Sequence, residues 1–241
     1  DARADSLRPR GRVGMIRAFI AQAPNPIVRW EYIIDEWDQI QRALLEHLEL
    51  TVYAVLLGLV VSAGLAALAL RFRWSAGPIN GLTAFLYTIP SVALFGILVP
   101  YFGLSRVTAV LPLALYTLLI LVTNIVAGFE AVAPEVKEAA SGMGMTPRRR
   151  VTHVELPLAA PYIITGLRIA VVSTVGLVTV AAIIGQGGLG RLILDGLRRT
   201  FWTPMMIGAS LSILLALTLD ALILFAGKWV TRWDRRGRGA L

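Results

Sequence analysis

At 241 residues, 56% of them hydrophobic and only 16% charged, the chain is too apolar for an ordinary soluble domain. It contains no cysteine, which excludes disulfides, thiolate nucleophiles and Cys-ligated zinc. The net charge of +8 comes mostly from arginines at the ends of apolar stretches. That pattern serves membrane orientation and headgroup contact, not nucleic-acid binding.

Residues 1–28 mix Arg, Gly and Pro and read as a flexible or surface-bound lead-in. The N-terminal tail, residues 1–47, is too broken by Pro24, Pro26 and charges to be a signal peptide or a spanning helix. Within it, Arg29–Glu49 alternates acids with Trp30, Tyr32, Ile33, Ile34, Trp37, Ile40, Leu44 and Leu45. Those spacings predict an amphipathic helix, either lying on the membrane surface or packed against the rest of the chain.

Five apolar stretches follow, each long enough at about 20 residues to cross roughly 30 Å of hydrocarbon. They are Leu48–Leu70, Ile79–Tyr101, Val107–Phe129, Pro161–Ile184 and Met205–Trp229, within a membrane domain of residues 48–229. Trp30, Trp37, Trp202, Trp229 and Trp233 lie in the tails or at span edges, and Trp74 falls in the loop after the first span. This is an aromatic belt. Arg71, Arg73, Lys137, Arg148, Arg149, Arg150 and the basic tail of residues 230–241 outweigh Arg106, Arg191, Arg198 and Arg199 in the alternate loops. The bias predicts a cytoplasmic C-terminus and an external N-terminus. The arginines of the N-terminal tail oppose it, but most lie too far from a span to weigh heavily.

The loop of residues 130–160 carries the clearest signal. Pro134 suits a first helical turn, and the helix then runs Glu135-Val136-Lys137-Glu138-Ala139-Ala140-Ser141-Gly142-Met143. Gly144 supplies a left-handed stop, Thr146 an N-cap and Pro147 the start of a second short helix, which Leu156-Pro157 is expected to close. Val136, Ala140 and Met143 share a face by spacing, with Ala139 beside them, so a partner protein can approach the backbone there. Lys137 and Glu138 are expected to pair at its rim. Arg148, Arg149 and Arg150 sit where the helix dipole disfavours cations, and need lipid phosphates or an acidic partner surface.

Glu138-Ala139-Ala140, Gly144 and then Val154-x-Leu156-Pro157 resemble the EAA loop of ABC importer permeases, E-A-A-x3-G-x9-I-x-L-P, with Val154 for Ile. From about Leu48 to Trp229 the chain is similar to permeases of the glycine betaine, carnitine and choline importers. Ile89-Pro90-Ser91-Val92-Ala93-Leu94, Gly142-Met143-Gly144-Met145-Thr146, Gly166-Leu167-Arg168-Ile169-Ala170 and Ile184-Gly185-Gln186-Gly187-Gly188-Leu189-Gly190 carry that likeness. It implies an all-α membrane protein: a five-span type I ABC importer transmembrane domain with a short cytoplasmic helical coupling loop. It also implies a prokaryotic plasma membrane, two ATP-binding cassette ATPase subunits, a second permease subunit (homologue or copy) and an extracytoplasmic substrate-binding protein. Glu138, Ala139, Ala140, Gly144, Met145, Arg148, Leu156 and Pro157 become the ATPase-coupling residues. The long N-terminal extension departs from the family pattern.

Other signals weigh less. Gly185-Gln186-Gly187-Gly188-Leu189-Gly190 matches G-x-G-x-x-G but ends a membrane span, whereas the dinucleotide fingerprint needs a βαβ setting. It reads as a turn that re-enters or approaches a neighbouring subunit; in the related permeases it lines the outer end of the pathway, making Gln186 and Gly187 gate candidates. Tyr87, Thr88, Tyr116 and Asn124 are polar groups inside spans, able to line a passage or to bond between helices. Pro90, Pro100 and Pro112 are expected to kink or interrupt helices. Arg168 lies about 10 Å and Asp220 about 13 Å in from the same membrane edge at 1.5 Å per residue. Such charges are costly there, so the two are expected to pair, within the subunit or across a dimer.

No metal site or catalytic group is expected. His47 and His153 have no catalytic partner in the pattern, which weakens a membrane-embedded enzyme. The chain lacks a Walker A motif, so ATP and Mg2+ belong to a partner chain. A secondary carrier would show an inverted repeat, and none is evident. Methionine, phosphonate or sulfonate permeases share the same loop and remain alternatives to an osmolyte carrier. No mid-span tryptophan offers an aromatic cage, so ligand affinity is expected to reside in the external binding protein. Relatives in this group often pair two different permease chains, which favours a heterodimer.

Overall fold

A computed structural model describes residues 29–231, and every regular element among them is helical. The lead-in of residues 1–28 and the basic tail from residue 232 onward lie outside the described residues. A short α1 (Trp30–Asp35) precedes the long α2 (Trp37–Arg71). Then come α3 (Arg73–Thr88), α4 (Ser91–Phe102) and α5 (Arg106–Glu130). The loop helix is α6 (Pro134–Gly142); α7 (Pro147–Arg150) leads through a π turn (Val151–Glu155) into α8 (Leu156–Val180). A 3-10 turn (Ala181–Ile184), α9 (Leu189–Arg198) and α10 (Trp202–Val230) complete the chain.

Four stretches are long and apolar enough to cross a membrane: Trp37–Arg71, Arg106–Glu130, Pro147–Ile184 and Trp202–Val230. The pair α3 and α4, bent by 92°, makes a fifth when counted as one broken span. That bend falls within the apolar stretch Ile79–Tyr101, at Pro90, one of the prolines expected to kink or interrupt a helix. Pro90 has no N–H to continue the ladder, and Ile89 before it is held extended at φ −67°, ψ 126°. The freed Ile89 carbonyl accepts a hydrogen bond from the Tyr116 hydroxyl. Pro100 and Pro112, by contrast, lie inside continuous helices.

Three further boundaries differ from expectation. No proline interrupts Trp37–Arg71, so the amphipathic segment is not a separate surface helix; only α1 is separate, set off at Glu36. The apolar face of that segment packs inward, with Ile40 and Ala43 buried against Leu189 and Leu192 of α9. Trp74 belongs to the first turn of α3, not to a loop. Finally, Leu156-Pro157 does not end a helix, because α7, the π turn and α8 run on through it.

The bundle centres on α5. Leu113 of α5 packs with Leu50 and Ala54 of α2, Phe95 of α4 and Val178 of α8. Lower down, Leu121 and Ile125 meet Ala66 and Ala170. Small residues set these crossings: a Cβ on Gly58 would lie 1.8 Å from Thr117 Oγ1, and one on Gly166 2.5 Å from Asn124 Cβ. Close approach of this kind is what holds helices together where lipid removes the hydrophobic drive. α10 packs on α8 and α9 and leaves Ile213, Leu214, Leu217, Leu222 and Phe225 exposed on its other side.

Candidate coupling hairpin and translocation pathway

The loop between α5 and α8 folds as a hairpin. α6 starts with Pro134 in its first turn and ends in a Schellman motif, with Met145 N–H donating to Ala140 O at 3.2 Å and Gly144 N–H to Ser141 O at 3.0 Å. Gly144 takes the left-handed conformation at φ 78°, where a side chain would be strained. Thr146 then caps α7, its hydroxyl oxygen accepting from Arg149 N–H at 3.4 Å. So far the local chemistry is that written in the sequence.

The faces are not. Ala140 is only 2% exposed and points into the subunit, while Val136 and Met143 are open. The face expected to hold Val136, Ala140 and Met143 together is therefore split. Glu135, Glu138, Ala139 and Gly142 form the outward stripe at i, i+3, i+4 and i+7. Ion pairing sets the rotation. Glu155, 7% exposed, accepts from Arg150 Nε at 2.7 Å and lies 3.9 Å from Lys137 Nζ. Lys137 also donates to Phe129 O at 2.9 Å, and Arg150 to the Ser141 hydroxyl at 2.9 Å. Lys137 thus turns inward to Glu155 and not, as expected, to Glu138. Glu155 supplies the negative charge that Arg150 needs, whereas Arg148 and Arg149 stay exposed.

Leu156 and Pro157 begin α8 beside this cluster. Further along it, Arg168 Nε and Nη2 donate to the two carboxylate oxygens of Asp220 in α10, at 2.7 and 2.8 Å. The fork lies within one subunit and is bidentate, the strongest geometry for such a pair.

The pathway candidates fall in three places. Tyr87 and Pro90 line a cavity of about 500 Å³ at the helix break, together with Thr88, Ser91, Tyr116 and Ser173. Asn124 lies elsewhere, packed against Gly166, its amide donating to Ile120 O of its own helix at 2.8 Å. Gln186 and Gly187 sit at the end of the bundle opposite the hairpin, where Gln186 Nε2 reaches Leu104 O at 3.5 Å. Gly188 takes φ 48°, and a Cβ there would lie 2.3 Å from Ala43 O. The glycine-rich turn therefore approaches the chain's own first span.

Two features at that end escaped the sequence reading. One is α9, whose Leu189, Leu192, Ile193 and Gly196 carry a legible i, i+3, i+4, i+7 spacing. The other is His47, fully buried, whose Nε2 donates to Val175 O at 3.0 Å and ties α2 to α8. A cleft of about 590 Å³ opens nearby, lined in part by Glu46, Glu49, Arg106 and Arg191. Arg106 pairs with Glu49 at 2.7 Å, and Arg191 with Glu46. Burial, with Glu36 and Asp195 nearby, raises the Tyr32 phenol above its usual range. Among the described residues no group of three or more His, Asp or Glu is placed to hold a metal ion.

Comparison with known proteins agrees with this architecture. Residues 54–232 match the model of the binding-protein-dependent transport system inner membrane component. The osmoprotectant import permease protein OsmW of Salmonella typhimurium is 38% identical over 80% of this chain and 92% of its own. The glycine betaine/carnitine/choline transport system permease protein OpuCB of Bacillus subtilis is 32% identical over 77% and 86%. An inward-facing structure of the MetNI methionine ABC transporter superposes with a TM-score of 0.67 at 21% identity, over 82% of this chain and 97% of that one. The likeness extends the all-α, type I importer fold to the whole bundle. The chain belongs to the binding-protein-dependent inner membrane components, the permease subunits of ABC importers.

Proposed function

We propose that this permease carries an osmoprotectant such as glycine betaine, carnitine or choline, and that its hairpin receives the force of ATP hydrolysis. The observation that carries the reading is the outward stripe of α6. Ala139 and Gly142 leave its backbone open to close approach, Glu138 gives it charge, and the other face is pinned to α8 through Glu155. A push on that stripe reaches Leu156, Pro157 and the spans without crossing a loose joint. Gly144 and Met145 fix the hairpin's turn, and exposed Arg148 meets the partner or lipid phosphates. Two ATP-binding cassette subunits, holding ATP and Mg2+, dock there from the cytoplasm, the side of the C-terminus. A second permease subunit completes the pathway in the prokaryotic plasma membrane. The charged cleft beside Arg106 and Arg191 faces the extracytoplasmic binding protein, next to the outer turn of Gln186 and Gly187. Arg168 and Asp220 clamp α8 to α10 within the subunit. The names of the relatives support the choice of solute.

The test is ATP hydrolysis by the reconstituted complex, with Glu138→Arg and Ala139→Trp. Both side chains are exposed, so folding should survive. Stimulation by loaded binding protein is expected to disappear while the complex still copurifies. If stimulated hydrolysis persists in both variants, the coupling role assigned to α6 is wrong.

A further inference from the structure

The cavity at the helix break lies at mid-membrane depth. Thr88–Pro90 divides the bent pair, Tyr116 is near the middle of α5, and Ser173 is near the middle of the stretch Pro161–Ile184. No Asp, Glu, Lys or Arg lines it. The Tyr116 hydroxyl donates to Ile89 O, and the Thr88 hydroxyl donates to Phe85 O at 2.7 Å. With those protons committed, the two oxygens turn lone pairs outward, not donors. Tyr116 is 6% exposed and abuts Tyr87 edge-on, ring centroids 5.7 Å apart at 74°. Tyr87 remains 44% exposed and is the ring available to a ligand.

We propose that this cavity is a transient site for the quaternary ammonium group of the transported solute, with the Tyr87 ring as its principal contact. The inference rests on the osmoprotectant reading above. A quaternary ammonium has no N–H to donate, so hydrogen-bond acceptors alone cannot fix it; ring faces and acceptor dipoles stabilise it by charge. A buried carboxylate would hold the cation too tightly for passage. A single ring face strengthens binding about 2- to 30-fold, enough to receive the ion and weak enough to release it. The break itself creates the site, since a continuous helix through residues 88–90 would bury the backbone that here borders the cavity.

The experiment is uptake of labelled choline and glycine betaine by the complete complex in proteoliposomes, with ATP and binding protein. Tyr87 is replaced by Phe, by Leu and by phenylalanines of increasing ring fluorination. Phe is expected to stay within about twofold of wild type, and Leu to lower the maximal rate about tenfold. Fluorination should lower the rate stepwise as the ring quadrupole weakens. A Leu variant that transports like wild type, or a flat fluorination series, overturns the proposal. A wild-type complex that carries no quaternary ammonium solute overturns the functional reading first, and this inference with it.

Discussion

Two of the proline-containing membrane stretches of this permease treat the residue oppositely. Pro147–Ile184 passes through Pro157 and Pro161 as one rod, about 57 Å long at 1.5 Å per residue. The pair α3 and α4 breaks at Pro90 and turns through 92°. Proline removes the same N–H in each case, so the residue alone does not decide the outcome. What differs is where the freed carbonyls go. Ahead of Pro157 the π turn spaces the backbone so that the ring meets a widened ladder. At Pro90 the Tyr116 hydroxyl takes the Ile89 carbonyl, making the broken form the satisfied one. The rod joins the hairpin to the far end of the bundle, whereas the break makes room for a cavity.

The largest effect is expected from a proline placed where nothing accommodates it. Val172→Pro, in the middle of α8 and partly exposed, is expected to cost about 3 kcal/mol or more. It should abolish uptake, because the rod would then kink between hairpin and outer turn. Near-normal transport by this variant would show that continuity of α8 is dispensable. A smaller effect is expected from Tyr116→Phe, which orphans the Ile89 carbonyl at a cost of about 1–3 kcal/mol. Thermal unfolding of the purified complex reads it, and an unchanged midpoint would mean the hydroxyl does not hold the break. The smallest effect belongs to Pro161→Ala. Since α8 is already continuous there, stability should move by no more than about 0.5 kcal/mol. Uptake that fell severalfold would instead assign Pro161 a working kink.

The sequence shows clearly what local chemistry controls. Hydropathy located the spans, Pro134, Gly144 and Thr146 marked the turns of the hairpin, and helical rise put Arg168 and Asp220 at similar depth. It misleads where distant partners decide. The inward turn of Ala140 follows from ion pairs among Lys137, Arg150 and Glu155, which no helical periodicity of a nine-residue segment encodes. Pro157 reads as a stop because the rule for proline is local, and a π turn has no sequence signature. The bend at Pro90 was foreseeable as a kink, but its size depends on a tyrosine 26 residues later. The cavity at the break stayed hidden for the same reason: Tyr87 and Tyr116 belong to different helices, and only the break brings them together.

The π turn at Val151–Glu155 also sets a count. Such a turn is what a single extra residue leaves in an α-helix. It fixes the angle between what lies before it and what lies after. Inserting one further residue there, beyond what the wide turn absorbs, would swing the hairpin about 100° around the axis of α8, one α-helical step. Arg150 and Glu155 would then stand six residues apart and no longer face each other. The alignment of the hairpin with the membrane bundle is thus written in chain length, and a further insertion there would act like a mis-cut gear tooth.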